Sequence, residues 1–311
     1  MWQSVIPHFS SFLKELELKP QERIDAETKA NRIAKRLWAK YYEGEFNSSC
    51  YSIVGSYGKL TAIRPASDLD MLFLLPPREY WRVEKLLGNK QSQLLAQVKE
   101  AMAVALPRTD LRADGQVVIA PLQTYKVEVI PAFQLQDETF ITAHTANNGS
   151  WRKSNPVAEY QRVFYADSVS VGKATHLVRM LKAWKRECTV DIKSISLETL
   201  ACDFVVRWKH RLQTVYYYDW LIRDFLEFML LYKNGQVTVR GTDEIIPLGD
   251  AWVSKCETAY RRALKACESE QLDHPYSATE EWRKIFGHQF LGTTPSPLSV
   301  SFLAKAMAAS R

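Results

Sequence analysis

The chain has 311 residues, 46% of them hydrophobic and 24% charged, enough for two domains or one large one with a substantial core, in the ordinary composition of a soluble globular protein. Its 41 basic against 35 acidic residues leave a net charge of +6, which suits polyphosphate in a cleft but is too modest, without a dense Lys/Arg run, to argue for a dedicated DNA or RNA groove. No apolar run approaches the ~20 residues needed to cross a bilayer, and the acidic, amphipathic N-terminus looks like neither a secretory signal nor a transit peptide, so a cytoplasmic protein is expected.

Residues 4–18 read as a short amphipathic helix, and residues 21–43 as a longer one with Ile24, Ile33, Leu37 and Tyr41 at helical spacing, ended by Gly44. Strands follow near 50–54 and 69–75, then one helix over 79–106. The stretch DGQVVIAPLQTYKVEVIPAF reads as two β-branched strands, Gln116–Ala120 and Thr124–Ile130, and a short pair follows through Phe133 and Phe140. The polar, turn-rich HTANNGSWRKSNP marks a change of region, with Trp151 expected to pack as an anchor on the core. Helices are then expected at 157–168, 172–188, 195–212, 217–232, 248–271 and 278–289, with a hairpin-like interruption near 234–247. The fold class is therefore α+β. A mixed α/β core over residues 1–155, with N-terminal helices, precedes a helical domain over 156–311 that closes a cleft. Cys50, Cys188, Cys202, Cys256 and Cys267 form no CxxC pair and have no His at zinc-ligand spacing, so reduced thiols and no structural zinc are expected.

The chemistry concentrates in YSIVGSYGKLTAIRPASDLDMLFLLP. A short apolar strand enters a Gly55-Ser56 turn, and a second strand opens with Asp68 and Asp70. Side chains at i and i+2 of a strand share a face, so the two carboxylates project together beside a turn that can hold phosphate. Gly55 lets the backbone approach an anion without a Cβ, and Ser56 offers a hydroxyl and an N–H. Tyr57 to Leu60 could begin a short helix whose N–H groups face that anion. A lone Glu in an apolar strand usually faces solvent on an edge. If both hairpins share one sheet, however, Glu128 lies beside Asp68 and Asp70. Three carboxylates then suit two Mg²⁺ ions ~3.5–4 Å apart and a nucleoside triphosphate. Gly-Ser alone and Asp-x-Asp alone are weak signals. Their conjunction with a Glu in a later strand points to nucleotidyl transfer.

The helical half offers a second group. Lys182 and Lys185 lie on one helix, and Lys193, Ser194 and Ser196 start the next. Ser194 or Ser196 capping that helix is one reading, with Glu198 completing a loose capping box. A Lys and a Ser reaching a triphosphate across the cleft is the other. The residues alone leave both open.

GSYGKLTAIRPASDLDMLFLLP, TDLRADGQVVIAPLQTYKVEVIPAF, NNGSWRKSNPVAEY and RMLKAWKRECTVDIKSISLETLACDF together resemble the bacterial cGAS/DncV-like nucleotidyltransferases (CD-NTases). The likeness covers roughly residues 20–210 and is nearest in style to the CdnD and CdnC clades. It implies a bilobal polymerase-β-like fold and Mg²⁺-dependent synthesis of a cyclic oligonucleotide from NTPs, with Mn²⁺ an alternative metal and ATP a substrate. It implies Asp68, Asp70 and Glu128 as metal ligands, Gly55 and Ser56 on the donor triphosphate, and Lys182 and Ser194 on nucleotide phosphates. An adenine-containing cyclic trinucleotide, an anti-phage role and a HORMA-domain activator follow from the same resemblance. One departure concerns the position after Ser194, where relatives often carry a base-stacking aromatic and this chain has Ile195. The zinc insertion that grips DNA in cGAS is absent from the sequence, so no direct DNA requirement is expected. The rivals are another nucleotidyltransferase, acting on RNA, a small molecule or a linear oligoadenylate, and a non-catalytic nucleotide- or partner-binding module. An RNA-extending enzyme would be expected to carry a larger basic surface, and loss of one carboxylate would have favoured the module.

Overall fold

The computed structural model describes residues 4–65, 68–242 and 244–292, so residues 293–311 of the expected helical domain lie outside it. In chain order its elements are α1 (Val5–Leu16), α2 (Pro20–Tyr41), β1 (Tyr51–Ile53), α3 (Gly55–Gly58), β2 (Asp68–Leu74), α4 (Pro77–Glu84) and α5 (Lys90–Ala105). There follow β3 (Arg112–Asp114), β4 (Val117–Pro121), β5 (Lys126–Gln134), β6 (Phe140–His144), β7 (Ser150–Ser154), α6 (Pro156–Ser168), α7 (Lys173–Glu187) and α8 (Ser194–Val205). The chain then forms α9 (Tyr218–Leu230), β8 (Gln236–Thr238), β9 (Ile245–Pro247), α10 (Val253–Gln271) and α11 (Pro275–Phe286). No helix among the described residues is long and apolar enough to cross a membrane. The fold is α+β, as the sequence implies.

Two compact units emerge. One comprises Glu17–Tyr165 with Thr238–Glu244, and the other Met1–Leu16, Ala166–Val237 and Ile245–Arg311. The first is built on a mixed sheet of β1 to β7 with order β1-β2-β5-β4-β3, and β6 joins β5 to β7. Only the β2–β5 pairing in it is parallel. Alternation explains the layers. Leu69, Met71 and Phe73 of β2 and Val127 and Val129 of β5 are buried, while Asp68, Asp70 and Glu128 point the other way and are half-buried. The buried side packs with α2, which contributes Ala26, Ala30, Ile33, Ala34 and Leu37 along one helical stripe, and with Leu94, Leu95, Val98 and Met102 of α5.

Three local outcomes differ from the sequence reading. The single helix expected over 79–106 is two helices. Gly88 takes φ +72° between them, and the Asn89 side chain starts α5 by accepting a hydrogen bond from Ser92 N–H at 2.9 Å. HTANNGSWRKSNP contains a hairpin: Asn147 and Asn148 adopt left-handed conformations that turn β6 back into β7. The helix expected over 195–212 stops at Val205; beyond it the Trp208 indole N–H donates to Asp224 of α9 at 2.9 Å, holding the turns that follow. Trp151 packs as expected, against Tyr80 and Phe133, and its indole N–H donates to Glu84 at 2.8 Å.

The second unit is helical around an aromatic core. Phe9 and Phe12 of α1 meet Trp282, Phe286 and Phe290 at ring separations of 4.7–5.3 Å. All five described cysteines are free thiols.

Candidate active site

The sheet register assembles the site. β2 and β5 run parallel, with Asp68 opposite Lys126 and Asp70 opposite Glu128. β4 flanks the other side of β5 and sets Ile119 opposite Glu128. Glu128 therefore sits on an interior strand, not an edge, and the three carboxylates share one face. Hydrogen bonding ties the Gly-Ser turn to them: Val54 N–H donates to Asp70 C=O at 2.9 Å, directly before α3 begins.

Gly55 has a second reason to be glycine. Its φ is +58°, and a Cβ there would lie 1.9 Å from Asp70 Oδ2. The Asp70 carboxylate thus occupies the room that a side chain at 55 would need. Ser56 is half-buried, and its carbonyl accepts from Thr61 and Ala62 N–H at 2.9 and 3.0 Å, which fixes the loop after α3.

Lys126, which the sequence reading did not single out, stands among the carboxylates. Its ammonium is 3.0 Å from Asp68 Oδ1 and 3.7 Å from Glu128 Oε1. Asp68 Oδ1 is sealed from solvent and has no aligned hydrogen bond, so this contact is an ion pair. Burial pushes the Glu128 carboxyl above its usual range, the Asp68 charge adds to the rise, and Lys126 partly offsets it. Close contact with Asp68 raises Lys126 in turn. The face thus carries more negative charge than one ammonium balances. Its donors are hard carboxylate oxygens, the type that Mg²⁺ takes, and one of them is a buried oxygen without a hydrogen bond. The residues fit such an ion chemically. Among the described residues, no three His, Cys, Asp or Glu side chains stand at metal-holding spacing as they are.

A cavity of ≈ 210 Å³ opens beside α3, lined in part by Ile53, Gly58, Lys59, Leu72, Phe140 and Tyr160. Leu72 follows Asp70 by two residues, so this cavity lies on the carboxylate face of β2. Lys59, only 7% exposed, pairs with Glu159 at 2.8 Å and so links the end of α3 to α6.

Lys182 and Ser194 belong to the helical unit, whereas Gly55, Ser56, Asp68, Asp70 and Glu128 belong to the sheet unit. Neither Ser194 nor Ser196 caps α8: the N-cap is Lys193, Ser194 is the first helical residue, and Ser196 is fully buried. The capping reading is corrected accordingly. Ser194 Oγ instead accepts from Lys185 Nζ at 3.2 Å. Lys182 is half-buried on α7, one turn before Lys185.

Residues 4–164 match the family model described as Second Messenger Oligonucleotide or Dinucleotide Synthetase domain. A probable cyclic nucleotide synthase of Bacillus cereus strain VD146 is 19% identical over 273 residues, covering 76% of this chain and 80% of that protein. Among solved structures, Vibrio cholerae DncV in complex with ATP, GTP and 5MTHFGLU2 superposes with a TM-score of 0.73 at 13% identity, over 95% of this chain and 99% of that one. CdnC of E. coli MS115-1, in its complex with HORMA-deltaN, superposes with a TM-score of 0.67 at 14% identity, over 92% and 98%. These likenesses carry the polymerase-β-like fold.

Proposed function

The chain belongs to the Second Messenger Oligonucleotide or Dinucleotide Synthetase family, and from that premise we propose that it is an Mg²⁺-dependent synthase of a cyclic oligonucleotide made from nucleoside triphosphates. It is a bacterial CD-NTase and a nucleotidyltransferase. One observation carries the proposal. Asp70 and Glu128 face each other across parallel strands, Asp68 shares their face, and Asp70 lies directly against Gly55.

In the proposed reaction a ribose hydroxyl attacks the α-phosphorus of a triphosphate. A new P–O bond forms, the bond to pyrophosphate breaks, and the hydroxyl proton is lost. Repetition and a final closure on the chain's own 5′ end give a ring. Bound Mg²⁺, or Mn²⁺ in its place, supplies a more acidic hydroxyl and neutralises the departing pyrophosphate. Asp68, Asp70 and Glu128 would hold it. Gly55 lets the backbone come close to phosphate, and Ser56 donates from its hydroxyl and N–H. Lys182 and Ser194 contact nucleotide phosphates, a role that rests on the family resemblance; the hydrogen bond from Lys185 orients the Ser194 hydroxyl for it.

ATP is the proposed substrate and an adenine-containing cyclic trinucleotide the product. The clade resemblance supports this, as do relatives solved with ATP or with ATP and GTP. An anti-phage role and a HORMA-domain activator are proposed on the same resemblance and on the CdnC–HORMA complex. The test is incubation with Mg²⁺ or Mn²⁺ and all four NTPs, then phosphatase, then mass spectrometry. Phosphatase-resistant cyclic product is expected. Its absence, with operon partners also added, overturns the proposal.

A further inference from the structure

Lys126 stands among the carboxylates themselves, and its placement is too specific for a decorative surface charge. Lys126 lies opposite Asp68 in the β2–β5 register and two residues before Glu128, so period-two alternation sends all three side chains to the same face. Its ammonium stands 3.0 Å from one carboxylate and 3.7 Å from the other. An ammonium is a compact charge with three donors on a flexible stem, suited to bridging two acids and to leaving them. Half of the Lys126 side chain, 49%, is exposed, so solvent lies open to it as an alternative position.

We infer that Lys126 is the resident counter-cation of the site: it holds Asp68 and Glu128 together and competes with the divalent cation for the same oxygens. This inference rests on the metal-ligand reading of Asp68, Asp70 and Glu128. Mg²⁺ sits ~2.0–2.1 Å from carboxylate oxygen, closer than the ammonium, and would repel a neighbouring positive charge. Cation loading therefore releases Lys126 from the carboxylates. The freed ammonium, half exposed on the same face, is then available to the anionic phosphates of the nucleotide. Lys126 thereby discourages cation binding without substrate and couples metal and triphosphate occupancy through one side chain. It is a positioning residue, not a base.

The test is Mn²⁺ binding to the full chain at low salt without nucleotide, read from the electron paramagnetic resonance signal of free Mn²⁺. Lys126→Met is expected to bind Mn²⁺ about fivefold tighter than the parent, the scale of one partly exposed ion pair. Lys126→Arg, which keeps the charge, is expected to stay near the parent. The gain in the Met variant should shrink as salt screens the parent's pair. Thermal unfolding gives a second readout: Lys126→Met should melt lower than the parent without Mn²⁺ and regain the difference when Mn²⁺ is added. Equal Mn²⁺ affinity in parent and Lys126→Met, with binding abolished by Glu128→Gln, overturns the competition while sparing the ligand assignment. Mn²⁺ binding unaffected by Glu128→Gln overturns that assignment, and the inference falls with it.

Discussion

The two units bury charge in opposite ways. In the sheet unit, Asp68, Asp70, Lys126 and Glu128 gather on a half-exposed face, and Lys126 meets Asp68 and Glu128 at 3.0 and 3.7 Å. In the helical unit, Asp219 and Glu270 are each only 1% exposed, beside His8 and Cys267. There Ser4 donates to Glu270 at 2.8 Å, but Asp219 Oδ2 and Glu270 Oε1 are buried without a hydrogen-bond partner, the latter 4.0 Å from His8 Nδ1. The first arrangement keeps charge accessible for a ligand. The second places titratable groups where ionisation costs the fold, because low-dielectric surroundings penalise the charged form. Mutations in the two places should separate accordingly, the first striking turnover and the second stability.

The largest effect is expected from Asp68→Asn combined with Asp70→Asn. Turnover should fall to background while circular dichroism and melting temperature stay close to those of the parent; undiminished product formation would break the contrast. Next is Gly55→Ala. Its Cβ would collide with the Asp70 carboxylate and occupy a left-handed backbone, so roughly a hundredfold loss of turnover is expected with about 1–3 kcal/mol of destabilisation. A variant as active as the parent would show that the Asp70 position is unimportant.

The helical unit should answer to pH. Burial raises Asp219 to about 7; nearby Glu270 adds to the rise, while the Trp220 N–H, Arg223 and Cys267 oppose it. The folded chain therefore keeps a proton that the unfolded chain loses near its ordinary value of 3.8. Stability should fall as pH rises between those two values and level off above the higher one. Asp219→Asn removes this slope. Its melting temperature should exceed the parent's by roughly 3 °C or more at pH 8, with the difference vanishing toward pH 4. Buried His8, whose proton affinity burial lowers, works in the opposite direction at acid pH and is common to both proteins. A difference independent of pH would contradict the buried-acid account.

The carboxylates were legible in the sequence because strand alternation and the Asp-x-Asp spacing are local. Glu128 was legible only conditionally, since its meaning depends on β2 pairing with β5, and no local pattern dictates that register. Lys126 was unreadable for the same reason: its partner Asp68 is distant in sequence. The division at Gly88 and the Asn147-Asn148 hairpin were written in the sequence as turn residues, but apolar periodicity and polar composition outweighed them. Val5–Leu16 was grouped with the catalytic core by its place in the chain. Its apolar face packs instead with Trp282, Phe286 and Phe290, a contact that chain order conceals.

The central claim is that the parallel register makes Asp68, Asp70 and Glu128 one catalytic centre. Glu128→Gln tests it most directly, because it keeps the shape of the strand and removes the one charge that only the register brings to the other two. The measurement is pyrophosphate release from ATP under a Mg²⁺ titration, for the variant beside the parent. At least a hundredfold lower rate, at an unchanged melting temperature, is the predicted result. A parent-like rate and Mg²⁺ dependence would contradict it.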